Sequence, residues 1–131
     1  MILKELPIKE LRPNNFYINK DKLEKIRKIY NEDKNPVFPP VLVGVIDGEY
    51  ALIDGHSRAM AAFENDKEFI SAQIHPIEEV PGPTNLYLTI HNKSKEMGLE
   101  SIESLSDRII SNFEHEILWV KYCDNLLKEL Q

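Results

Sequence analysis

The chain has 131 residues, which predicts one domain with its own core rather than two domains joined by a linker. Its composition, 29% charged and 42% hydrophobic, is typical of a folded globular protein and excludes a disordered chain. Sixteen basic and 22 acidic residues give a net charge of −6, which disfavours binding to DNA or to an anionic membrane.

Cysteine and histidine usage argues against a disulfide and against a metal site. Cys123 is the only cysteine, which excludes an intrachain disulfide and a zinc site built on several thiolates. The four histidines lack the spacing of metal ligands and are predicted to be surface or loop residues: His56, His75, His91 and His115. No apolar run approaches the roughly 18 residues of a membrane-spanning helix. These features predict a cytoplasmic protein with no metal site and no membrane partner.

The first 30 residues predict a strand, a turn and one amphipathic helix. A short strand over residues 2–3 and a turn over residues 8–11 lead to a loop at Asn14 and Asn15. Asn19 is a suitable N-cap for the helix that follows. The apolar face of this helix is predicted to contain Leu23, Ile26, Ile29 and Tyr30.

The middle of the chain predicts a β-hairpin. After a proline-rich loop over residues 31–40, two apolar runs at residues 41–45 and 50–53 flank Asp47 and Gly48. An Asp-Gly pair between two apolar runs is a strong hairpin signal. The second strand then delivers the chain directly to the segment that begins at Asp54.

The remaining elements are predicted to be mostly helical. A helix to about Asn65 with Ala59, Ala62 and Phe63 facing inward is followed by a strand over residues 69–74 and helices over 84–97 and 101–110. Ser111 and Glu114 form a capping box for a final helix. Its apolar stripe is predicted to contain Ile117, Val120, Leu127 and Leu130, with Trp119 and Tyr122 beside it as packing residues. If the two aromatic side chains were exposed, they would indicate a homodimer surface.

This order of elements predicts an α+β fold in which a small mixed β-sheet is covered by helices. The expected single domain spans residues 1–131, with a core at 1–80 and a helical extension at 81–131.

The strongest functional signal is Asp54-Gly55-His56-Ser57-Arg58, between an apolar strand and an alanine-rich helix. The first N–H groups of a helix lack intrahelical partners, and the helix dipole places positive charge there. Gly55 allows close approach of the backbone, Ser57 offers a hydroxyl, and Arg58 can contact phosphate oxygens. The pattern predicts a phosphate-binding turn made by Gly55, His56, Ser57 and Arg58.

Alternative roles remain open for three of these residues. Asp54 is favoured as the N-cap of the helix, but could instead hold a metal that bridges phosphate or accept a proton from a hydroxyl. His56 could be a phosphate donor, an acid/base group or a surface residue. Arg58 is favoured as a ligand residue over a salt bridge to Asp54 or Glu64. Asp54 and His56 are therefore the catalytic candidates.

A lysine-rich face on the first helix contains Lys20, Lys22, Lys25 and Lys28. It could contact phosphate, but acidic residues interrupt it, so a solvated helix face is the favoured interpretation.

Several parts of the first 75 residues resemble the ParB/sulfiredoxin-like superfamily. They are the opening element at 8–13, Leu23-Glu24-Lys25-Ile26, Pro39-Pro40-Val41-Leu42-Val43 and the segment from Leu52 to Ala59 that contains Asp-Gly-His-Ser-Arg. Residues 84–131 are similar to the helical tail of short ParB-like bacterial proteins, a likeness that implies no function.

The resemblance implies a nucleotide or phosphate site at Gly55, His56, Ser57 and Arg58, and members differ beyond that. Sulfiredoxins carry a catalytic cysteine where this chain has His56, so sulfiredoxin chemistry is not expected. ParB-type proteins keep the Gly-x-x-Arg spacing of Gly55 and Arg58 but add a basic DNA-binding module. The C-terminal helices here are acidic, which disfavours DNA as a partner.

Free serine kinases of this fold share the Asp-Gly-His-x-Arg pattern but place a glutamate base where this chain has Asn15. An amide cannot accept a proton, so that chemistry would need another carboxylate, with Glu5, Glu10 and Asp54 as candidates. The leading hypothesis is a domain that binds ATP, ADP, CTP or another phosphorylated small molecule with Mg²⁺, and that could transfer phosphate to a small hydroxyl. The alternatives are a DNA-associated module of the chromosome-partitioning type and a non-catalytic interaction domain.

Overall fold

A five-stranded mixed sheet, covered by helices, forms the centre of the computed structural model, which describes residues 1–131. The strands are β1 (Ile2–Pro7), β2 (Leu11–Pro13), β3 (Ile18–Asn19), β4 (Val41–Ile46), β5 (Glu49–Asp54), β6 (Phe69–Pro76) and β7 (Ile109–Ile110). The helices are α1 (Lys20–Glu32), α2 (His56–Glu64), α3 (Thr84–Glu96), α4 (Asn112–His115) and α5 (Lys121–Glu129).

The strand order in the main sheet is β1-β6-β4-β5-β2. The pairs β1–β6 and β4–β5 are antiparallel, whereas β4–β6 and β2–β5 are parallel. β3 and β7 form a separate parallel pair. This arrangement confirms the predicted α+β class with a small mixed sheet.

The predicted hairpin is confirmed between β4 and β5. Asp47 and Gly48 at its tip have φ angles of 50° and 76°, the left-handed conformation that a tight two-residue turn requires. β5 leads without a connecting loop into the turn at Gly55, where α2 begins.

The main core lies between the sheet and the helices α1, α2, α3 and α5. Ala59, Met60 and Ala61 of α2 are buried in it, and these mostly small side chains allow the helix to lie close to the sheet. Asn19 caps α1 as predicted, because its side chain accepts hydrogen bonds from the first-turn N–H groups. Arg27 of α1 donates to Glu64 over 2.9 Å and connects α1 to the C-terminal end of α2.

Polar contacts attach α3 to the sheet. The Ser94 hydroxyl donates to the Pro13 carbonyl over 3.1 Å, and both Lys95 and His91 contact the Glu49 carboxylate. The prediction that His91 is a surface or loop residue is therefore wrong: its side chain is buried in α3. A histidine at helical spacing can be buried when a carboxylate from the sheet meets one of its ring nitrogens.

The prediction of a helix over residues 101–110 is wrong. A single 3-10 turn at Ile102–Leu105 is followed by the short strand β7. Ile109 and Ile110 pair with Ile18 and Asn19, so a long-range strand contact replaces local helix formation in this stretch.

The final helix begins at the predicted Ser111–Glu114 capping box, but its buried face differs from the prediction. A π-helical turn at Glu116–Val120 separates α4 from α5 and takes up one extra residue, which rotates the helix surface. The inward face consequently contains Trp119, Tyr122, Cys123 and Leu126. Ile117 is 44% exposed and Trp119 only 7%, so Trp119 rather than Ile117 anchors the helix.

None of the helices combines the length and the apolar composition that a membrane-spanning segment needs.

The buried face of the final helix can be tested with two truncations. We expect Trp119→Ala to lower the free energy of unfolding by about 3–5 kcal/mol, because it leaves a cavity against Phe16 and Tyr122. Ile117→Ala, in the same helix, should cost less than about 1 kcal/mol. Urea unfolding followed by circular dichroism measures both values, and a larger cost for Ile117→Ala would contradict the observed helix phase.

Candidate functional site

The turn between β5 and α2 depends on a glycine. Gly55 has a φ angle of 113° and is the N-cap of α2, with no side chain accepting from the helix N-terminus. A Cβ atom at this position would lie 2.5 Å from Cγ1 of Val41. Ala59 is the first residue whose N–H group reaches an acceptor in the helix, the Gly55 carbonyl at 2.9 Å. The N–H groups of the first turn are therefore available to a ligand.

Asp54 does not cap α2, so the favoured capping interpretation is wrong. Gly55 occupies the N-cap position, and Asp54, as the last residue of β5, is one residue too early. Its side chain is 77% exposed and lies 3.7 Å from Nη2 of Arg58. An ion pair this long and this exposed contributes little to stability.

His56 is buried at the start of α2, so the surface interpretation of this residue is wrong. Its Nε2 atom accepts a hydrogen bond from the backbone N–H of Asn14 over 3.1 Å, which places the ring proton on Nδ1. Burial lowers the pKa of His56 to about 3. The ring is therefore neutral near pH 7 and presents an N–H donor rather than a positive charge.

Arg58 is held against the turn by the loop that precedes β4. Its Nη1 atom donates to the carbonyl oxygens of Pro39 and Pro40 over 2.8 and 3.0 Å. Glu64, one of its two predicted salt-bridge partners, instead pairs with Arg27. One of the two terminal nitrogens of Arg58 is thus occupied by backbone, and Nη2 remains for contacts with Asp54 or with a ligand.

These residues border a pocket of about 350 Å³. It is lined by Asn15, Tyr17, Ile18, Asn19, Lys22, Lys25, Ile26, Ile53, Asp54, Gly55, His56, Ser57, Arg58 and His115. All of the predicted cradle residues and both catalytic candidates are therefore brought together. The volume lies within the range of small-molecule sites.

The pocket is locally cationic in an acidic protein. Lys22, Lys25 and Arg58 supply three positive charges, and Asp54 supplies the only carboxylate among the lining residues. The remaining polar lining residues are neutral amides, hydroxyls and histidines. The whole chain has a net charge of −6, so the positive charge of the pocket is a local feature that favours an anion.

Two of the four lysines assigned to a solvated face in the sequence border the pocket. Lys22 and Lys25 lie three residues apart on α1 and share a face with Ile26, whereas Lys20 and Lys28 are not among the lining residues. Sequence spacing does not separate the two pairs, because Lys25 and Lys28 are also three residues apart. The contribution of His115 could not be found in this way, because it comes from the other end of the chain.

Two of the three alternative carboxylates, Glu5 and Glu10, lie outside the pocket. Glu5 accepts a hydrogen bond from Ser71 over 2.6 Å on the β1–β6 pair, and neither Glu5 nor Glu10 borders the pocket. Asn15 does border it. No group of three or more histidine, cysteine, aspartate or glutamate side chains is arranged to hold a metal ion.

No protein-family model and no curated protein sequence matches this chain. Among solved structures, a conserved hypothetical protein from Pyrococcus furiosus is similar with a TM-score of 0.52 and 18% identity, over 58% of this chain and 33% of that one. A free serine kinase in complex with ADP is similar with a TM-score of 0.50 and 17% identity, over 57% of this chain and 31% of the kinase. Protein Atu1540 from Agrobacterium tumefaciens has a TM-score of 0.50 and 18% identity, over 71% and 48% of the two chains.

At these identities the similarity shows the fold alone. The chain shares its fold with these three proteins, which is consistent with the resemblance to the ParB/sulfiredoxin-like superfamily in its first 75 residues. It spans about a third of the Pyrococcus protein and of the kinase, and about half of Atu1540.

The strained turn predicts a specific cost for a side chain at Gly55. Gly55→Ala must accept both a left-handed backbone and a collision with Val41, whereas Gly48→Ala meets nothing within 4 Å. We expect Gly48→Ala to lower the free energy of unfolding by about 1–2 kcal/mol, and Gly55→Ala to exceed this by a further 1–3 kcal/mol or so. Urea unfolding of the two variants tests this, and equal costs would contradict the close approach.

The buried His56 predicts acid sensitivity. Its folded pKa of about 3 lies below the ordinary value of 6.5, so the unfolded chain gains a proton that the folded chain does not. Stability is therefore retained above pH 6.5 and lost as the pH falls towards 3. Between about pH 7 and pH 5 the loss from this residue should be about 2 kcal/mol.

The matched variant is His56→Gln, whose side-chain oxygen can still accept the Asn14 N–H but does not titrate. Urea unfolding at both pH values should give a smaller loss for the variant than for the wild-type protein. A loss of the same size in both would show that His56 titrates normally in the folded state.

Proposed function

We propose that this protein binds a nucleotide or another phosphorylated small molecule in the pocket between α1 and the β5–α2 turn. The observation that carries the proposal is the concentration of three cationic side chains beside the free N-terminus of α2. Both features favour a multiply charged anion.

The phosphate would occupy the space in front of Gly55. There it can accept hydrogen bonds from the first-turn N–H groups of α2, from the Ser57 hydroxyl and from Nδ1 of the neutral His56. Lys22 and Lys25 would supply charge from the α1 side, and Arg58 from the turn side. A Cβ atom at Gly55 would also lie 3.0 Å from Nη2 of Arg58, so glycine at this position leaves that nitrogen unobstructed.

ATP, ADP and CTP with Mg²⁺ are the first ligands to test. The similar free serine kinase was solved in complex with ADP, and the size of the pocket allows part of a nucleotide to enter. Asp54, exposed at the edge of the pocket, could hold an ion that arrives with the phosphates. As a single carboxylate, it would not retain Mg²⁺ without the nucleotide.

Phosphoryl transfer to a small hydroxyl is the finer form of this proposal, and it limits the choice of base. His56 is poorly suited because its Nε2 is occupied and its pKa is far below neutral. Asn15 has no basic group, which leaves Asp54 as the only carboxylate at the pocket. A catalytic protein should therefore lose turnover in Asp54→Asn, while nucleotide binding measured without Mg²⁺ is retained.

The binding proposal is tested by thermal unfolding with ATP, ADP and CTP, each with and without Mg²⁺. A ligand at 100 times its dissociation constant adds about 2.7 kcal/mol to the stability of the folded state. We expect Lys22→Ala and Lys25→Ala each to weaken binding about three- to tenfold, and less so at high salt. Lys20→Ala and Lys28→Ala are matched controls on the same helix and should bind normally.

The outcomes separate the remaining classes of function. No shift with any nucleotide would favour a non-catalytic interaction domain. Retention of a DNA duplex in gel shifts at low salt, lost in Lys25→Ala and Lys28→Ala, would favour a DNA-associated module. Equal weakening by all four lysine variants would indicate a general charge effect rather than a pocket.

A further inference from the structure

The C-terminal segment, residues 108–131, contributes a side chain to the pocket. His115, the last residue of α4, lines the same cavity as Lys22 of α1 and Ser57 of α2. It is separated from the Gly55 turn by 60 residues of sequence, so its position is set by tertiary contacts. Its side chain is only partly buried.

Strand pairing and a hydrogen bond between two side-chain amides fix the position of α4. β7 pairs in parallel with β3, directly before α1, through Ile18 with Ile109 and Asn19 with Ile110. The Asn19 side chain, whose oxygen caps α1, also donates from Nδ2 to Oδ1 of Asn112 over 2.9 Å. One residue therefore joins the N-termini of α1 and α4, the helices that carry Lys22 and His115.

A second set of contacts holds the strand that enters α1. The Phe16 ring meets Trp119 at 5.0 Å and Tyr122 at 5.6 Å between centroids. Arg108 donates to the Phe16 carbonyl over 2.7 Å and lies 4.6 Å from the centre of the Tyr17 ring. The wall of the pocket formed by residues 15–19 is thus clamped by residues from the C-terminal segment.

The charges around His115 favour its neutral form in the absence of a ligand. Partial burial is the main reason that its pKa is lowered; the positive charge of Lys22 acts in the same direction, and Glu116 on its own helix opposes them. Lys25, Asp54 and Arg58 border the same pocket from α1 and the β5–α2 turn. The cations outnumber the carboxylates on the sides that face the pocket.

We infer that His115 is a ligand-contacting residue that takes up a proton when a phosphate group enters the pocket, so that the C-terminal segment makes binding pH-dependent. This inference rests on the proposed function, since it concerns the same phosphate. The bound anion offsets the repulsion from Lys22 and accepts a hydrogen bond from the imidazolium. Affinity therefore rises as the pH falls through the titration of His115, and this term is lost at higher pH.

Inorganic pyrophosphate is the probe, titrated by calorimetry into the full chain at about pH 6 and about pH 8. The variants are His115→Gln, which is neutral at both values, and His115→Lys, which is charged at both. Pyrophosphate titrates in the same range, so each affinity is divided by that of His115→Gln at the same pH. The association constant of the wild-type protein should be about three to ten times that of His115→Gln at the lower pH, and about equal to it at the higher pH. The ratio for His115→Lys should exceed one at both.

Imidazole NMR gives a second readout that a purely structural role would not move. The His115 resonance, identified by its absence in His115→Gln, should titrate at a higher pH with pyrophosphate than without it. His56, which is buried, should not shift over this range. Circular dichroism of each variant at both pH values checks that it is folded.

The results distinguish failure of this inference from failure of the proposed function. Binding by the wild-type protein that weakens in Lys22→Ala, with a ratio of one to His115→Gln at both pH values, would overturn the role of His115 and leave the phosphate site standing. No binding of pyrophosphate or of any nucleotide would overturn both. A ratio above one at low pH without movement of the His115 resonance would also overturn proton uptake.

Discussion

The left-handed backbone of Gly55 is the constraint on which the candidate site depends. It allows β5 to pass into α2 with a single residue between them. Gly55 lies so close to the Val41 side chain that a Cβ atom at position 55 would collide with it. The orientation of the next three residues follows from this turn. His56 points inward to the Asn14 backbone, Ser57 borders the cavity, and Arg58 reaches back to the Pro39 and Pro40 carbonyls. The N-terminus of α2 is left without a protein acceptor as a result.

Charge is distributed so that one small region differs in sign from the molecule as a whole. The chain as a whole has a net charge of −6, whereas three cationic side chains and one carboxylate line the pocket. The two histidines at the pocket, His56 and His115, differ in how their surroundings affect protonation of the ring. Burial and the Asn14 N–H keep His56 neutral, whereas His115 is only partly buried, and both this burial and the charge of Lys22 lower its pKa. In the proposed site, the same residue type would supply a constant donor on one side and a titrating donor on the other.

The C-terminal segment is part of the same core as the sheet, and its contacts end at the pocket. Trp119 and Leu126 belong to one continuous buried cluster with residues of β1, β4 and α2. The π-helical turn is what allows this, because it rotates α5 so that a tryptophan, rather than an isoleucine, meets Phe16. The segment thereby supports the wall that leads into α1 and adds His115 to the lining.

The sequence by itself determined the features that depend on near neighbours. The Asp47-Gly48 hairpin, the Asn19 and Ser111 caps, the start of α2 and the cluster from Gly55 to Arg58 all follow from backbone preferences within a few residues. Only the tertiary structure decided the features that join distant parts of the chain. It paired β7 with β3 where a helix was predicted, buried His91 against Glu49, and placed Lys22, Lys25 and His115 beside the turn. The physical reason is that local periodicity sets which face of an element is apolar, whereas burial, charge and protonation of a side chain depend on which other element covers that face.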